Sequence, residues 1–288
     1  MLLRPWRLKP CRALRFPILL RATPVCATTW TMNIFDLTGT AAIITGGNGG
    51  LGLAMARGLA KAGADIAIWA RNPRKNAAAL EELGELGTGR VIALACEVTE
   101  EAAIARAMAA TLDTLGRVDV CFANAGIPGA GQAIPEITPE GWDNTMGVNT
   151  RGAALVYKHV TRHMIARAQD GDAGGKLIVT SSGQSIMGVN RSSDYAASKA
   201  AVNGLTRAAA FELARYRITA NALLFGFYET DITARADPRF GEWMAKRIPL
   251  RRPGDHAGLE GLAVFFASPH SNYITGQCLP VDGGLSIS

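Results

Sequence analysis

Tyr195 and Lys199 stand four positions apart in the segment 195–199, which reads YAASK. On a helix this spacing places the phenol and the ammonium on the same face, one turn apart. A nearby cation stabilises phenolate, so the pair predicts a tyrosine whose pKa is lowered from its usual value of about 10. Such a phenol can act as a general acid and base near neutral pH. The spacing therefore indicates proton-transfer chemistry at Tyr195.

A glycine-rich turn, TGGNGGLG at 45–52, lies between a predicted strand and a predicted helix. Residues 41–44 are apolar like a buried strand, and Leu51, Met55 and Leu59 repeat at the spacing of a helix face. A strand, a glycine turn and a helix N-terminus in this order form a cradle for dinucleotide phosphates, which approach the bare backbone N–H groups. The alternative is a glycine-rich turn of an unrelated α/β protein, but the flanking elements favour a phosphate site.

An alternation of strands and helices positions these motifs. Strands are predicted near 41–45, 65–69, 90–95, 118–122, 176–180, 218–224 and 277–281, and helices near 50–62, 74–86, 100–115, 139–167, 195–215 and 257–267. This order indicates an α/β, doubly wound, Rossmann-type three-layer fold with a seven-stranded parallel sheet. A single domain over 34–288 suits a chain of 288 residues that is 48% hydrophobic.

Together the two motifs resemble the short-chain dehydrogenase/reductase family, in its single-domain branch of ketone reductases and alcohol dehydrogenases, over about residues 34–288. The resemblance implies a nicotinamide-dependent oxidoreductase that exchanges hydride with a carbonyl or secondary alcohol: a 3-oxoacyl, sugar-derived or small ketone substrate. Further family motifs follow in order at 124–126 (NAG), 148–149 (VN) and 281–284 (VDGG).

The same resemblance implies a catalytic group of Asn149, Ser182, Tyr195 and Lys199. The family serine precedes its tyrosine by 13 positions, which selects Ser182 over Ser181. Tyr195 would transfer the proton, Ser182 would bond the same substrate oxygen, Lys199 would lower the phenol pKa and touch the ribose, and Asn149 would order a water. Structural alternatives are a turn cap for Ser182, a helix-backbone bond for Asn149 and a solvated charge for Lys199.

The cofactor is predicted to be NADP(H) in preference to NAD(H). Ala70 stands at the end of the second strand, where NAD enzymes carry an acid, and Arg71 follows it. The alternative is that the basic residues only solvate the start of the next helix. The predicted cofactor-binding residues are Thr45, Gly46, Asn48, Gly50, Leu51, Gly52, Arg71, Glu97, Val98, Asn124, Ala125, Gly126, Tyr195, Lys199, Gly226, Tyr228 and Thr230.

Apolar and amide side chains are predicted around the substrate, with the segment 127–129 and a lid from Tyr228 to Trp243. This mixture does not choose among the substrate classes. A non-catalytic NADPH-binding scaffold or sensor remains the alternative function. The predicted substrate residues are Ser182, Gln184, Met187, Tyr195 and Tyr228.

Three positions depart from the family pattern. Phe225 precedes Gly226 where the family has proline, which leaves the geometry of that turn open. Glu97 stands where an aspartate commonly contacts adenine, and Ala123 replaces the first asparagine of the usual NNAG.

The net charge of +6 arises in the first 33 residues, because the remaining 24 basic side chains balance 24 acidic ones. No nucleic-acid partner is therefore indicated. The basic leader is read either as a mitochondrial presequence, which implies the matrix, or as a segment before a natural start at Met32, which implies the cytoplasm. Its longest apolar run is too short to span a membrane, so no membrane partner is expected.

The five cysteines are scattered and odd in number, which indicates a reducing compartment and no zinc site. His159 and His163 have the spacing of helical metal ligands, but without an intervening acid they favour a partly solvated helix face, and no metal is predicted.

The helix near 195–215 is apolar nearly all round, since Val202, Leu205 and Ala209 lie on one side and Gly204 and Ala208 on others. Such a helix must bury more than one face. A homo-oligomer, with a tetramer as the expected size, is predicted; the alternative is a monomer covered by its lid or leader.

Overall fold

A computed structural model describes residues 34–87, 89–230 and 238–288, with 238–240 described by their backbone alone. The predicted basic leader at 1–33 lies outside these residues. Seven parallel strands form one sheet in the order β3-β2-β1-β4-β5-β6-β7, which confirms the predicted doubly wound fold. The strands are β1 (Ala41–Thr45), β2 (Asp65–Trp69), β3 (Val91–Leu94), β4 (Val120–Ala123), β5 (Gly175–Ser182), β6 (Ile218–Phe225) and β7 (Cys278–Val281).

Helices cover both faces of the sheet. Alternate residues of a strand face opposite layers, so Ala41 and Ile43 join the core beneath one set of helices while Ala42 and Ile44 join the core beneath the other. This two-sided burial is the reason the strands read as continuous apolar runs. The helices are α1 (Gly50–Lys61), α2 (Pro73–Gly84), α3 (Glu101–Leu115), α4 (Pro139–Met146), α5 (Ala153–Gln169), α6 (Ser193–Leu213), α7 (Pro238–Arg247) and α8 (His256–Ala267).

The helix predicted over 139–167 is present as continuous helical backbone from Pro139 to Gln169, but its hydrogen-bonding pattern changes in the middle. Between α4 and α5 the backbone forms a π-helical segment, Gly147–Gly152, whose wider turns place the buried Asn149 at the sheet edge. Asn149 exchanges two hydrogen bonds with the backbone of Ile127, at 2.8 and 3.0 Å, in the loop after β4. Periodicity alone did not distinguish this segment from a continuous helix, and π-segments occur frequently at functional sites.

The strand order reverses between β1 and β4. At such a switch point the loops at the carboxyl ends of the two central strands diverge and leave a crevice, where ligands of open α/β sheets bind. No described helix is long and apolar enough to cross a membrane.

Lys176 is a buried cation at the opposite end of β5 from this crevice. It is 7% exposed, and its ammonium donates to two neutral groups, Ser271 Oγ at 3.1 Å and Asn272 Oδ1 at 2.5 Å. Burial lowers the pKa of Lys176 from 10.5 to about 8. At neutral pH the folded protein therefore holds a desolvated charge that the unfolded chain exposes to water.

We expect Lys176→Met to raise the free energy of unfolding by about 2 kcal/mol at pH 7, because it removes that charge from the interior. The gain should shrink between pH 8 and pH 10, since the wild-type lysine itself loses its proton in that range and its penalty disappears. Urea unfolding of both proteins at the two pH values measures the effect. A variant that is less stable than wild type at pH 7 would contradict this account.

Candidate active site

A cleft lies at the carboxyl ends of β1, β4, β5 and β6. Its inner part is a cavity of about 320 Å³, within the usual size of small-molecule sites. An outer part continues past the end of β2 and shares Gly46, Asn48 and Gly126 with the inner cavity. The inner cavity is lined by Gly46, Asn48, Gly49, Gly50, Leu51, Lys75, Asn124, Ala125, Gly126, Ile127, Thr180, Ser181, Ser182, Tyr195, Lys199, Phe225, Gly226, Tyr228 and Thr230.

The glycine turn after β1 forms one wall of this cleft. Gly46 has φ of +66°, which favours glycine, and a Cβ on Gly52 would lie 2.4 Å from the Gly46 carbonyl oxygen. The turn therefore folds tightly back on the start of α1 and leaves its backbone bare toward the cleft. This geometry fits a dinucleotide phosphate group.

Thr45 does not line the cleft, although it belongs to the predicted cofactor-binding set. It is 1% exposed, and its hydroxyl accepts the backbone N–H groups of Asn124 and Ala125 at 2.9 and 2.8 Å. Asn124 returns a bond from its amide to the Thr45 carbonyl at 3.0 Å. Thr45 thus joins β1 to the loop after β4 and shapes the cleft from behind.

The outer part of the cleft is built at the ends of β2 and β3. Ala70, Arg71 and Glu97 all line it, and Arg71 Nη1 donates to Glu97 Oε2 at 3.1 Å. The Arg71 side chain is 67% exposed, so its guanidinium is accessible to a ligand as well as to Glu97. Asn72 also lines this part and caps α2 by accepting from Arg74 N and Lys75 N.

Tyr195, Lys199 and Ser182 meet in the inner cavity. α6 carries the tyrosine and the lysine, and the lysine Nζ lies 5.7 Å from the centre of the tyrosine ring. Ser182 lines the same cavity as Tyr195, and hydrogen bonding by its hydroxyl acts to lower the pKa of the phenol. The Lys199 ammonium donates to the Thr180 carbonyl at 2.8 Å, while Ser181 donates to the Lys199 carbonyl at 3.1 Å and so serves the helix backbone.

The pKa of Tyr195 moves in the direction opposite to the one predicted from the spacing. Burial raises the pKa of the phenol above its ordinary value, and the hydrogen bond from Ser182 opposes that rise. Burial also lowers the pKa of Lys199 from 10.5 to about 8. The prediction was wrong for the free protein because the desolvation of the buried phenol outweighs the effect that lowers its pKa, the hydrogen bond from Ser182.

Asn149 reaches the same place from the π-helical segment. Its amide donates to Ser198 Oγ at 3.0 Å as well as to Ile127, and a Cβ on Gly126 would lie 3.2 Å from Asn149 Oδ1 and 3.4 Å from Lys199 Nζ. Because Gly126 has no side chain, the Asn149 amide oxygen and the Lys199 ammonium can both approach its backbone. The predicted water between them remains a prediction.

The segment after β6 closes the inner cavity. Phe225, which stands where the family has proline, pairs with Val281 in the sheet and packs its ring edge-on against Tyr228, with 5.6 Å between ring centres. A Cβ on Gly226 would lie 2.7 Å from the Asp282 Cα, so this glycine is required by close packing. The Tyr228 hydroxyl donates to the Val281 carbonyl at 3.3 Å, and its ring lines the cavity as an apolar wall.

Two predicted substrate residues are not part of the cavity wall that the described residues form. The Gln184 side chain accepts a hydrogen bond from Ser192, and Met187 lies in the following turn. The predicted lid includes residues 231–237, which lie outside the described part of the chain. The substrate end of the site therefore remains a prediction.

Several residues at the site had no signal in the sequence motifs. Lys75 lines the inner cavity but is not one of the predicted cofactor-binding residues. Asp194, next to Tyr195, is 4% exposed and accepts from Ala130 N at 2.7 Å and Thr145 Oγ1 at 2.9 Å. This buried carboxylate thus holds two elements against α6: the loop that follows β4, and helix α4. Its position directly before Tyr195 is the only sign of this role in the sequence.

The two histidines of α5 have separate partners. His159 Nε2 lies 3.2 Å from Glu101 Oε1, and His163 Nε2 accepts the Val118 N–H at 3.2 Å. Within the described ranges, no three His, Cys, Asp or Glu side chains cluster as metal ligands.

Known proteins match the chain over the region that forms this cleft. The family model described as enoyl-(acyl carrier protein) reductase matches residues 46–286. The gluconate 5-dehydrogenase of Gluconobacter oxydans (strain 621H) is 34% identical over 258 residues, which are 89% of this chain and 98% of that protein. The 3-oxoacyl-(acyl-carrier-protein) reductase MabA of Mycobacterium tuberculosis (strain H37Rv) is 32% identical over 245 residues, 85% of this chain and 92% of that protein.

A solved structure is similar over the same span. The crystal structure of a gluconate 5-dehydrogenase from Burkholderia cenocepacia J2315, in complex with NADP and tartrate, is 38% identical with a TM-score of 0.81. The match covers 88% of this chain and 98% of that one.

Proposed function

This chain belongs to the short-chain dehydrogenase/reductase family, and we propose that it is an NADP(H)-dependent oxidoreductase whose proton donor is Tyr195. The family acts on CH–OH and C=O groups. The observation that supports this assignment most directly is that Tyr195, Ser182 and Lys199 line one cavity together with the glycine turn. Relatives that act on gluconate or its keto forms favour a sugar-derived hydroxy acid or ketone as the substrate class.

Tyr195 supplies the proton in the reducing direction. Its hydroxyl donates to the carbonyl oxygen of the substrate, while Ser182 donates a second hydrogen bond to that oxygen and offsets the negative charge that develops there. Lys199 lies within one turn and stabilises the phenolate that remains after transfer. In the oxidising direction Tyr195 accepts the proton of the alcohol instead.

The residues present fit a nicotinamide dinucleotide. Gly46 and Gly50 present bare backbone to the cleft, Lys75 and Arg71 place cations along it, and the Lys199 ammonium faces the inner cavity. When bound, the nicotinamide supplies or accepts the hydride. The proposed inner wall is completed by Asn48, Leu51, Asn124, Ala125, Gly226 and Thr230, and the outer one by Glu97 and Val98. Gly52, also predicted to bind the cofactor, does not line the cavity; it lies behind the wall, against the Gly46 carbonyl.

We expect Arg71→Ala combined with Ala70→Asp to reverse cofactor preference from NADP to NAD. The change removes the cation that would bind the 2′-phosphate and adds a carboxylate that repels it and accepts from a 2′-hydroxyl. It also removes the positive charge that pairs with Glu97, so the uncompensated Glu97 carboxylate repels the 2′-phosphate as well. Charge-assisted bonds to phosphate are worth about ten- to a hundredfold in affinity.

Fluorescence titrations of NADPH and NADH against wild type, both single variants and the double variant measure this shift. Each single variant should produce part of it. A wild type that binds NADH more tightly than NADPH would contradict the proposed preference.

A substrate panel tests the enzymatic proposal itself. The panel contains 5-keto-D-gluconate and D-gluconate, a 3-oxoacyl thioester and a small cyclic ketone, each with NADPH or NADP, followed by nicotinamide absorbance. We expect the sugar-derived pair to give the highest kcat/KM. Tight NADPH binding with no turnover across the panel would favour a non-catalytic scaffold instead.

We further propose that the chain forms a homo-oligomer, a tetramer, through α5 and α6. The outward face of α6 carries the small residues Ala200, Gly204 and Ala208 and then Phe211, whose side chain is 91% exposed. Small residues allow two helices to approach closely, and the solvent-exposed phenylalanine beside them favours burial against a second protein surface.

Gly204→Glu is expected to lower the solution mass of the protein to that of a monomer or dimer. A Cβ at Gly204 meets nothing within 4 Å, and glutamate has a higher helix propensity than glycine, so the folded monomer accommodates the change. Light scattering of the full chain provides the mass. Gly261→Glu on α8, which is equally unobstructed, is the matched control; equal masses for Gly204→Glu and wild type would place the interface elsewhere.

A further inference from the structure

Asn203 extends the line of Tyr195 and Lys199 along α6. It lies eight positions after the tyrosine and four after the lysine, so the three share one helix face. The side chain is buried, at 4% exposure, and its Nδ2 lies 2.8 Å from Ser185 Oγ. The Ser185 hydroxyl in turn lies 2.6 Å from the carbonyl oxygen of Ser182.

The orientation of this amide follows from the proton count. A serine hydroxyl has one proton, and Ser185 gives it to the Ser182 carbonyl, which can only accept. The Asn203 atom that faces Ser185 must therefore be the donor, Nδ2. The chain of bonds runs in one direction, from Asn203 through Ser185 to the backbone of Ser182.

This arrangement leaves the other end of the amide unsatisfied. Asn203 Oδ1 is buried and has no hydrogen-bond partner among the described residues. An unpaired buried acceptor lowers stability, so Asn203 is a poor choice for packing alone. A residue that costs stability one turn beyond Lys199 points to a role in the site.

We propose that Asn203 is a positioning residue that holds the Ser182 hydroxyl in line with Tyr195, an inference that rests on the proposed catalytic function. The loop after β5 is held on its other side, where Ser182 Oγ accepts the Gln184 N–H at 3.2 Å and the Gln184 side chain accepts from Ser192. Ser181, the residue before Ser182, also donates to the Lys199 carbonyl of α6. Asn203 adds the bond that reaches the Ser182 carbonyl itself, through Ser185, and without it that carbonyl loses this connection to the helix that carries Tyr195.

Asn203→Leu separates this role from simple packing. The change removes both the donor and the unpaired acceptor, so we expect a melting temperature equal to or above that of wild type. We expect kcat to fall about ten- to a hundredfold, because small displacements of a catalytic group have effects of that size. NADPH affinity, measured by fluorescence, should stay within about twofold, since Asn203 does not line the cleft.

Ser185→Ala removes the hydroxyl that links Asn203 to the Ser182 carbonyl and so tests the same connection. It should lower kcat to a similar degree, and the double variant should be no worse than either single one, because both changes break one chain of bonds. Asn221→Leu is the matched control. Asn221 is a buried asparagine of β6 whose amide is bonded at both ends, to Ile274 O and Gln277 N, so its loss should lower the melting temperature and leave kcat unchanged.

The outcomes separate this inference from the proposed function. If wild type turns over and Tyr195→Phe does not, while Asn203→Leu and Ser185→Ala keep the wild-type kcat, the positioning role is wrong and the catalytic assignment stands. If kcat and melting temperature fall together in Asn203→Leu, the residue is structural and the inference is again overturned. If Tyr195→Phe retains full activity, the catalytic assignment itself fails.

Discussion

Tyr195→Phe is expected to lower kcat by about 10²- to 10⁴-fold, the usual contribution of a positioned general acid. The substitution removes only the phenol hydroxyl, so the ring still fills its place on α6. NADPH affinity should remain nearly unchanged, because the residues proposed to contact the phosphates and ribose keep their side chains in this variant. Steady-state turnover with the best substrate of the panel and a fluorescence titration of NADPH measure the two quantities.

Tyr157→Phe is the matched control for this prediction. Tyr157 is 4% exposed in the core, and within the described chain its hydroxyl has no hydrogen-bond partner. Its removal should therefore preserve both activity and stability. Equal kcat values for Tyr195→Phe and wild type would refute the assignment of Tyr195 as the proton donor.

Lys199→Ala should lower kcat by a comparable factor and weaken NADPH binding as well. Lys199 is 4% exposed, and its ammonium lies between the Tyr195 ring and the Thr180 carbonyl, at the inner end of the cleft. Its loss removes the charge that stabilises phenolate and a donor that the ribose hydroxyls would use. An unchanged affinity for NADPH would contradict the second of these roles.

The pH dependence of NADPH binding tests the proposed role of the Lys199 charge. The pKa of Lys199 is about 8 in the free protein, so its charge is lost as the pH rises above that value. Wild-type affinity for the anionic cofactor should decline in that range, and the affinity of Lys199→Ala should be flatter there. Lys61→Ala, which removes a half-exposed lysine paired with Glu260, is the control for a change in net charge.

Much of the fold could be predicted because its signals are local. Each buried strand of a doubly wound sheet is a short apolar run, and each glycine turn or helix face has its own spacing, so the seven strands and their alternation with helices followed from the sequence. The π-helical segment between α4 and α5 did not, because α- and π-helical turns have similar periodicity; its Asn149 bonds Ile127, which is 22 positions away.

The candidate site shows the same contrast. Ser182, Tyr195 and Lys199 were found by spacing and family resemblance, and the structure brings them to one cavity. Thr45, in contrast, satisfies the motif but faces the loop after β4, and Asp194 and Asn203 matched no motif. A motif identifies a residue's position along the chain, whereas its contacts depend on which distant segment packs against it.

The sequence by itself determined the seven strands and their alternation with helices, the glycine turn and the single helix face shared by Tyr195 and Lys199, because each depends on backbone periodicity over a few residues. Only the tertiary structure decided that burial raises the pKa of Tyr195, that Arg71 pairs with Glu97, and that Asn203 is connected to Ser182. Desolvation and side-chain pairing depend on neighbouring residues from separate strands and helices. Those residues come into contact only when the sheet and its helices assemble.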